Sequence, residues 1–266
     1  MKKIPGIRKR SAPTLSLRKW HIGLAAFYTV QAVIILVLSK TNEWPITTNF
    51  STQDTVASKV AGHPVLVPAA HTLLSLNLAY AVAAFFLVSV VVHLAIATVY
   101  QKRHKTDLAH GMNCARWIEH GLSVGIMMVV IGLLSGIYDI SSMVMILVLV
   151  SLTSLVGPLM EHTSRGHDRR SRGTYLVGYL AAITPWIVFA IYAISASAYG
   201  DGVPAFVYWI YLSIFILFNS FAINMYLQYK RKGRWADYLY GERIYMILSL
   251  ITKTVLAWQV FAGALR

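Results

Sequence analysis

Apolar residues along this chain come in long unbroken runs, and the polar residues that separate them are gathered into short charged blocks. Seven such runs stand out, at about 20–39, 71–99, 108–137, 141–160, 174–198, 204–229 and 243–265. A helix of about 20 apolar residues crosses a hydrocarbon core about 30 Å thick, so each run predicts one membrane span. A transmembrane barrel would instead show alternating segments of about ten residues. The pattern therefore predicts an all-α membrane protein, a single seven-helix bundle covering residues 1–266. One linker is long, 40–70. It carries β-branched and polar residues around Trp44-Pro45 and Val65-Leu66-Val67-Pro68, broken by Gly62. That composition predicts a short antiparallel ribbon capping one face of the bundle. Tyr199 to Pro204 reads as a tight turn, with Pro204 suited to the start of the sixth span. Gly121 with Gly125, and Gly132 with Gly136, offer small ridges for close helix contact.

Composition sharpens this picture. The 266 residues are 57% hydrophobic and 13% charged, which excludes a soluble protein. A net charge of +14 could point to nucleic acid, but the basic residues sit between spans, so no nucleic-acid partner is expected and the partner is the lipid bilayer. Twenty Lys and Arg fall on one side, in the basic tail 1–19 and the linkers after the second, fourth and sixth spans. Only Lys40, Lys59 and Arg266 fall on the other. This imbalance places the N-terminus in the cytoplasm and the C-terminus outside a cell membrane. No small-residue cleavage site follows the first run, so it is expected to be a retained span rather than a signal peptide. Cys114 is the single cysteine, which rules out an intrachain disulfide.

Polar residues inside the spans carry the candidate chemistry. Lys253 lies ten residues beyond the charged edge Glu242-Arg243, about 15 Å deep by helix rise. It is too far from either surface for its ammonium to reach water. Such a lysine is a packing ion pair, an ion-coupling group or an amine that condenses with an aldehyde cofactor. The other acids fall in linkers or at helix ends, which leaves Glu119 as the single carboxylate expected in the core and the natural partner of Lys253. Arg116, three residues earlier, is the competing partner. His93 lies about 14 Å deep by the same count and is a candidate proton acceptor. Ser89, Ser249 and Ser123 each stand one helical turn from His93, Lys253 and Glu119. Ser220, Asn224 and Gln228 form a stripe read as packing between helices. Aromatic residues crowd the fifth and sixth spans, Trp186 and Phe218 among them, and would suit a rigid polyene.

Taken together, Arg116-Trp-Ile-Glu119, Leu217-Phe-Asn-Ser-Phe-Ala222, Tyr226-Leu-Gln-Tyr-Lys230, Gly241-Glu-Arg243, Ser249-Leu-Ile-Thr-Lys253 and Ala257-Trp-Gln259 resemble the heliorhodopsins, a branch of the microbial rhodopsins. The resemblance extends over nearly the whole chain. It implies all-trans retinal bound to Lys253 as a protonated Schiff base, with Glu119 as counterion. Ser249, Ser123, Trp186, Phe218 and Asn219 are the further cofactor-binding residues. His93, Ser89, Asn113 and Tyr28 form the proton-accepting polar cluster. The family also places its N-terminus inside, as the charge imbalance does. Two residues depart from the family's pattern: Tyr28 stands where a histidine is expected, and His120 stands where a tyrosine is expected.

Three functions compete. The first is a retinal photoreceptor that signals through its cytoplasmic face to an unidentified partner and pumps nothing. The second is a light-driven pump or light-gated channel. The third is a transporter that uses Lys253 and Glu119 as a coupling pair without a chromophore. A pump needs carboxylates along a path, and no acid follows Glu119 before Asp139. The first reading is therefore preferred, and no enzymatic activity is expected. The long outer linker, together with small residues on membrane faces, predicts a homodimer.

Overall fold

The computed structural model describes residues 14–163 and 172–266. Most of the basic tail and the arginines at 165, 169 and 170 lie outside the described residues. Seven helices are long and apolar enough to cross a membrane: α1 (Thr14–Leu38), α3 (Leu78–Ala97), α5 (Cys114–Leu134), α6 (Ile140–Thr163), α7 (Arg172–Tyr199), α8 (Ala205–Tyr229) and α9 (Tyr238–Val260). Among the described residues two short α-helices, α2 (Thr55–Ala61) and α4 (Gln101–Ala109), and a 3-10 turn at Gly233–Ala236 lie outside the spans. The last residues, Phe261–Leu265, continue α9 as a π-helical turn.

Two spans start several residues later than the sequence expectation, while α1 and α9 start earlier, at Thr14 and Tyr238 rather than about 20 and 243. The second span begins at Leu78 rather than near 71, because Leu66–Asn77 is a strand. The third was expected to run from about 108, but α4 ends at Ala109 and α5 starts only at Cys114. Gly111 at φ 69° breaks the chain between them, a left-handed conformation that glycine adopts without steric cost.

The long linker forms the expected ribbon, and it is longer than a hairpin of minimal size. β1 (Glu43–Gln53) pairs antiparallel with β2 (Leu66–Asn77), and α2 closes the far end. Asp54 caps α2 by accepting from the Val56 and Ala57 amides, both at 2.9 Å. A register shift at Ile46/Thr47 turns the ribbon onto the bundle. There the Thr47 amide donates to the Tyr138 carbonyl at 2.9 Å, and Ile46 is buried.

Neighbouring spans pack α1 on α3, α3 on α5, α5 on α6, α6 on α7 and α8 on α9, and α9 also touches α1, α3 and α5. Glycine allows α5 to approach α6 closely: a Cβ on Gly125 would stand 2.9 Å from the Ser151 hydroxyl, and Ser151 donates to the Gly121 carbonyl at 3.0 Å. Helices α7 and α8 meet through aromatic side chains. Trp186 stands edge-on to Phe215 at 5.2 Å and to Phe218 at 5.8 Å. Two members of the stripe read as packing join α8 to other elements, whereas Ser220 donates to the Ile216 carbonyl of its own helix. Asn224 donates to the Gly241 carbonyl and accepts from Trp235, and Gln228 donates to Glu242.

Candidate functional site

Lys253 on α9 is 1% exposed, and its ammonium points inward to α5. Nζ donates to Glu119 Oε1 at 2.6 Å and to Ser249 Oγ at 2.5 Å. Ser89 on α3 also donates to Glu119 Oε1 at 2.6 Å, and Ser123 reaches the same oxygen at 3.3 Å. One carboxylate oxygen thus gathers donors from three helices. A buried charge is tolerable only when it is paired and hydrogen-bonded in this way. The competing pairing of Glu119 with Arg116 does not occur.

Tyr28, fully buried on α1, sits beneath this pair. Its ring lies 5.6 Å from Lys253 Nζ and stacks on the His93 ring at 5.8 Å, with 5° between the planes. His93 in turn shares a 2.9 Å Nδ1–Nδ1 contact with His21, so one of those nitrogens carries a hydrogen and the other accepts it. His21 escaped the sequence reading. The signal was available: His21 precedes Tyr28 by seven residues, two helical turns, and so shares its face.

Asn113 lies elsewhere. It caps α5, accepting from the Arg116 amide at 3.1 Å, and its side-chain amide donates to Glu242 at 2.7 Å. It belongs to a second buried cluster, centred on Arg116. That guanidinium pairs with Glu161 at 2.8 Å and with Glu242 at 3.0 Å. It lies between the rings of Trp117 and Tyr245, 4.0 and 3.9 Å from their centroids. Tyr238 adds a hydrogen bond to Glu161 at 3.0 Å. Glu119 is therefore not the single buried acid. Glu242 is 3% exposed despite standing one turn into α9. A position near a helix end means water only where no neighbouring helix covers it, and here Arg116 draws both acids in. Burial raises the Glu161 pKa, Arg116 opposes that rise, and the second acid Glu242 reinforces it, leaving the net direction upward.

A cavity joins the two clusters. Glu119, Ser249 and His93 border it at one end, and Asn113, Arg116 and Glu242 at the other. Val124, Met128, Val150, Phe218 and Met246 supply apolar lining. Trp186 backs Phe218 from behind. Asn219 faces the α7–α8 seam, accepting from the Tyr179 hydroxyl at 3.2 Å and donating to the Phe215 carbonyl. His120 borders the cavity, its ring 4.7 Å from that of Phe221. A buried primary amine beside a carboxylate that borders a largely apolar cavity fits an aldehyde on a polyene: Lys253 would hold the aldehyde, the cavity would take the chain, and Glu119 would balance the positive charge.

Comparison with known proteins agrees. A search of curated proteins finds no match. Among solved structures, the fold is similar to the crystal structure of a light-driven proton pump from Leptosphaeria maculans, with a TM-score of 0.61 over 93% of this chain and 95% of that one. At 14% identity that likeness shows the fold alone. The heliorhodopsin family matches residues 17–265, nearly the whole chain. The chain belongs to the heliorhodopsin family.

Proposed function

We propose that the chain binds all-trans retinal covalently at Lys253 and acts as a light sensor that moves no ion across the membrane. The observation that carries this reading is the Lys253 ammonium, 1% exposed and held 2.6 Å from Glu119 inside the bundle. Bound there as a protonated Schiff base, retinal supplies visible absorption and a positive charge. The chain's own residues do the rest. Glu119 balances that charge, Ser89, Ser123 and Ser249 hold the pair in register, and Tyr28 and His93 form the polar wall beside it. Phe218, backed by Trp186, stiffens the cavity.

The absence of pumping is supported by what lies toward the ribbon. On that side the helices fill the centre with Val82, Phe85, Met127, Val130, Leu256 and Val260, all buried. None can carry a proton, and no acid follows Glu119 along α5. The titratable neighbours of the pair, His93 and His21, lie on the side bearing α4 and the basic linkers, whereas the buried Gln31 and Ser135 on the ribbon side are neutral, so a proton that leaves the pair returns from the α4 side. The charge imbalance supports a cytoplasmic position for that side, where a signalling partner would bind. Exposed Phe50, Leu66, Leu73 and Leu74 on the ribbon support a homodimer. A monomer in nanodiscs would count against that assembly.

The test is purification with all-trans retinal, followed by spectroscopy and transport assays. The expected result is a visible band, no protonophore-sensitive pH change in illuminated cells and no steady photocurrent under voltage clamp. A sustained photocurrent that Glu119→Gln abolishes would overturn the sensor reading in favour of transport.

A further inference from the structure

A recess lies between α4 and the first turns of α1. Gln101, His104, Lys105 and Leu108 line it from one face of α4, since three, four and seven residues on return a side chain to the same side of a helix. Leu17 and Arg18 line it from α1. Its polar groups await a partner. His104 is 5% exposed, and its Nδ1 is buried without a hydrogen-bond partner among the described residues. A buried polar atom in that state requires a ligand or a water. Arg18 and Lys105 are exposed, and the ion pairs among the described residues all belong to Arg116 or Lys253. Arg18 Nε donates to the Ala97 carbonyl at 3.1 Å, which fixes the guanidinium and leaves its two terminal nitrogens to an outside acceptor. The carboxylates that bear on His104, Glu242 and Asp107, already have partners. Glu242 pairs with Arg116 at 3.0 Å, and Asp107 accepts from the Tyr100 hydroxyl at 2.8 Å.

The recess also stands at the end of a lipid-facing strip. On α1, Ile22, Ala26, Val30, Val33 and Val37 are exposed and follow Arg18 at helical spacing. In a bilayer such a strip faces acyl chains, and a cation at its end stands at headgroup depth.

We propose that the recess between α1 and α4 binds the phosphate of an anionic phospholipid from the leaflet on that side, with an acyl chain along the exposed strip of α1. Arg18 offers the phosphate a pair of parallel hydrogen bonds, and Lys105 offers a point charge. The Gln101 amide donates a further bond. A neutral imidazole carries one N–H, and a phosphate oxygen beside His104 selects the tautomer that places it on Nδ1. A free phosphate ion would meet the same donors. The strip that begins at Arg18 is what commits the site to a lipid. Nothing in it requires retinal, so it stands apart from the light-sensing reading.

The full chain in nanodiscs, with 15N-labelled histidine rings, tests the site. The His104 Nδ1 resonance, assigned by its loss in His104→Gln, is expected to shift and saturate as phosphatidylglycerol replaces phosphatidylcholine. One cation near a headgroup changes the affinity about fivefold, so Arg18→Gln and Lys105→Gln should each raise the half-saturating share of anionic lipid by about that factor. Lys102→Gln removes the same charge from α4 outside the recess and should leave the midpoint where it was. If Arg18→Gln fails to assemble, Lys105→Gln, at an exposed position, carries the test. An unmoved His104 resonance overturns the proposal. So does an equal effect of Lys102→Gln, which would mean diffuse surface charge. Inorganic phosphate added to phosphatidylcholine nanodiscs should leave the resonance in place; a shift matching that of phosphatidylglycerol would assign the recess to a soluble anion and overturn the lipid.

Discussion

The bundle buries two ion clusters, one at Lys253 and one at Arg116, and they are built from opposite chemistries. At Lys253 a single ammonium meets a single carboxylate, and every other partner is a neutral hydroxyl. At Arg116 a guanidinium holds two carboxylates and is flanked by two aromatic rings. Lysine can lose its proton and form a new covalent bond; arginine stays charged and cannot. The forked guanidinium instead binds several acceptors in fixed directions. One cluster is therefore suited to react and the other to hold. The holding cluster ties the start of α5 to the end of α6 and the start of α9, one face of the bundle. The difference shows that burial of charge alone does not mark a reactive site. The identity of the cation and the count of its partners do.

The sharpest break between the two clusters is Lys253→Ala. It is expected to abolish the visible band of retinal-treated protein while leaving an assembled bundle, as judged by helical circular dichroism and a monodisperse elution profile. A retained band would remove the lysine from the chromophore site. Arg116→Met should do the reverse. It strands Glu161 and Glu242 in the interior and is expected to cost about 3–5 kcal/mol, the scale for removing one partner of a buried pair. A thermal midpoint measured without retinal reads that loss; an unchanged midpoint would mean that the cluster is not a clamp.

Glu119→Gln leaves the lysine in place and removes the charge that localises its cation. The visible band is expected to move to longer wavelength, because a nearby anion stabilises positive charge at the nitrogen end. An unchanged spectrum would show that another group balances the charge. The smallest effect is expected at Asn113. Asn113→Ala removes the helix cap and the hydrogen bond to Glu242, at a cost of about 1–2 kcal/mol, with the band where it was. A spectral shift as large as that of Glu119→Gln would mean that the clusters communicate through the cavity and are not separate.

How legible each cluster was in the sequence follows from the same physics. Lys253 and Glu119 announced themselves because a charge in the middle of an apolar run has no access to water, and two such charges of opposite sign imply each other. Ser89, Ser123 and Ser249 followed from helical spacing. The Arg116 cluster was hidden because all three of its charges sit near helix ends, where charged residues are ordinary. Nothing along the chain says that Arg116, Glu161 and Glu242, 126 positions apart at the extremes, converge under Trp117 and Tyr245. His104 was hidden for a related reason, since it lies in a run of basic residues that reads as solvated surface.

The seven apolar runs by themselves determined seven spanning helices, because in hydrocarbon each segment must satisfy its own backbone hydrogen bonds and only a helix does so locally. The β-branched linker by itself determined the ribbon, for which alternation is again a local property. What only the tertiary structure decided is which polar groups share a space. Asn113 sits with Arg116 rather than with Lys253, His21 sits beside His93, and the second and third spans end where a strand and a separate helix take over. Those outcomes depend on how helices rotate and which neighbours cover their ends. Depth along one helix can be counted from the chain, but contact between two helices requires both of them in place.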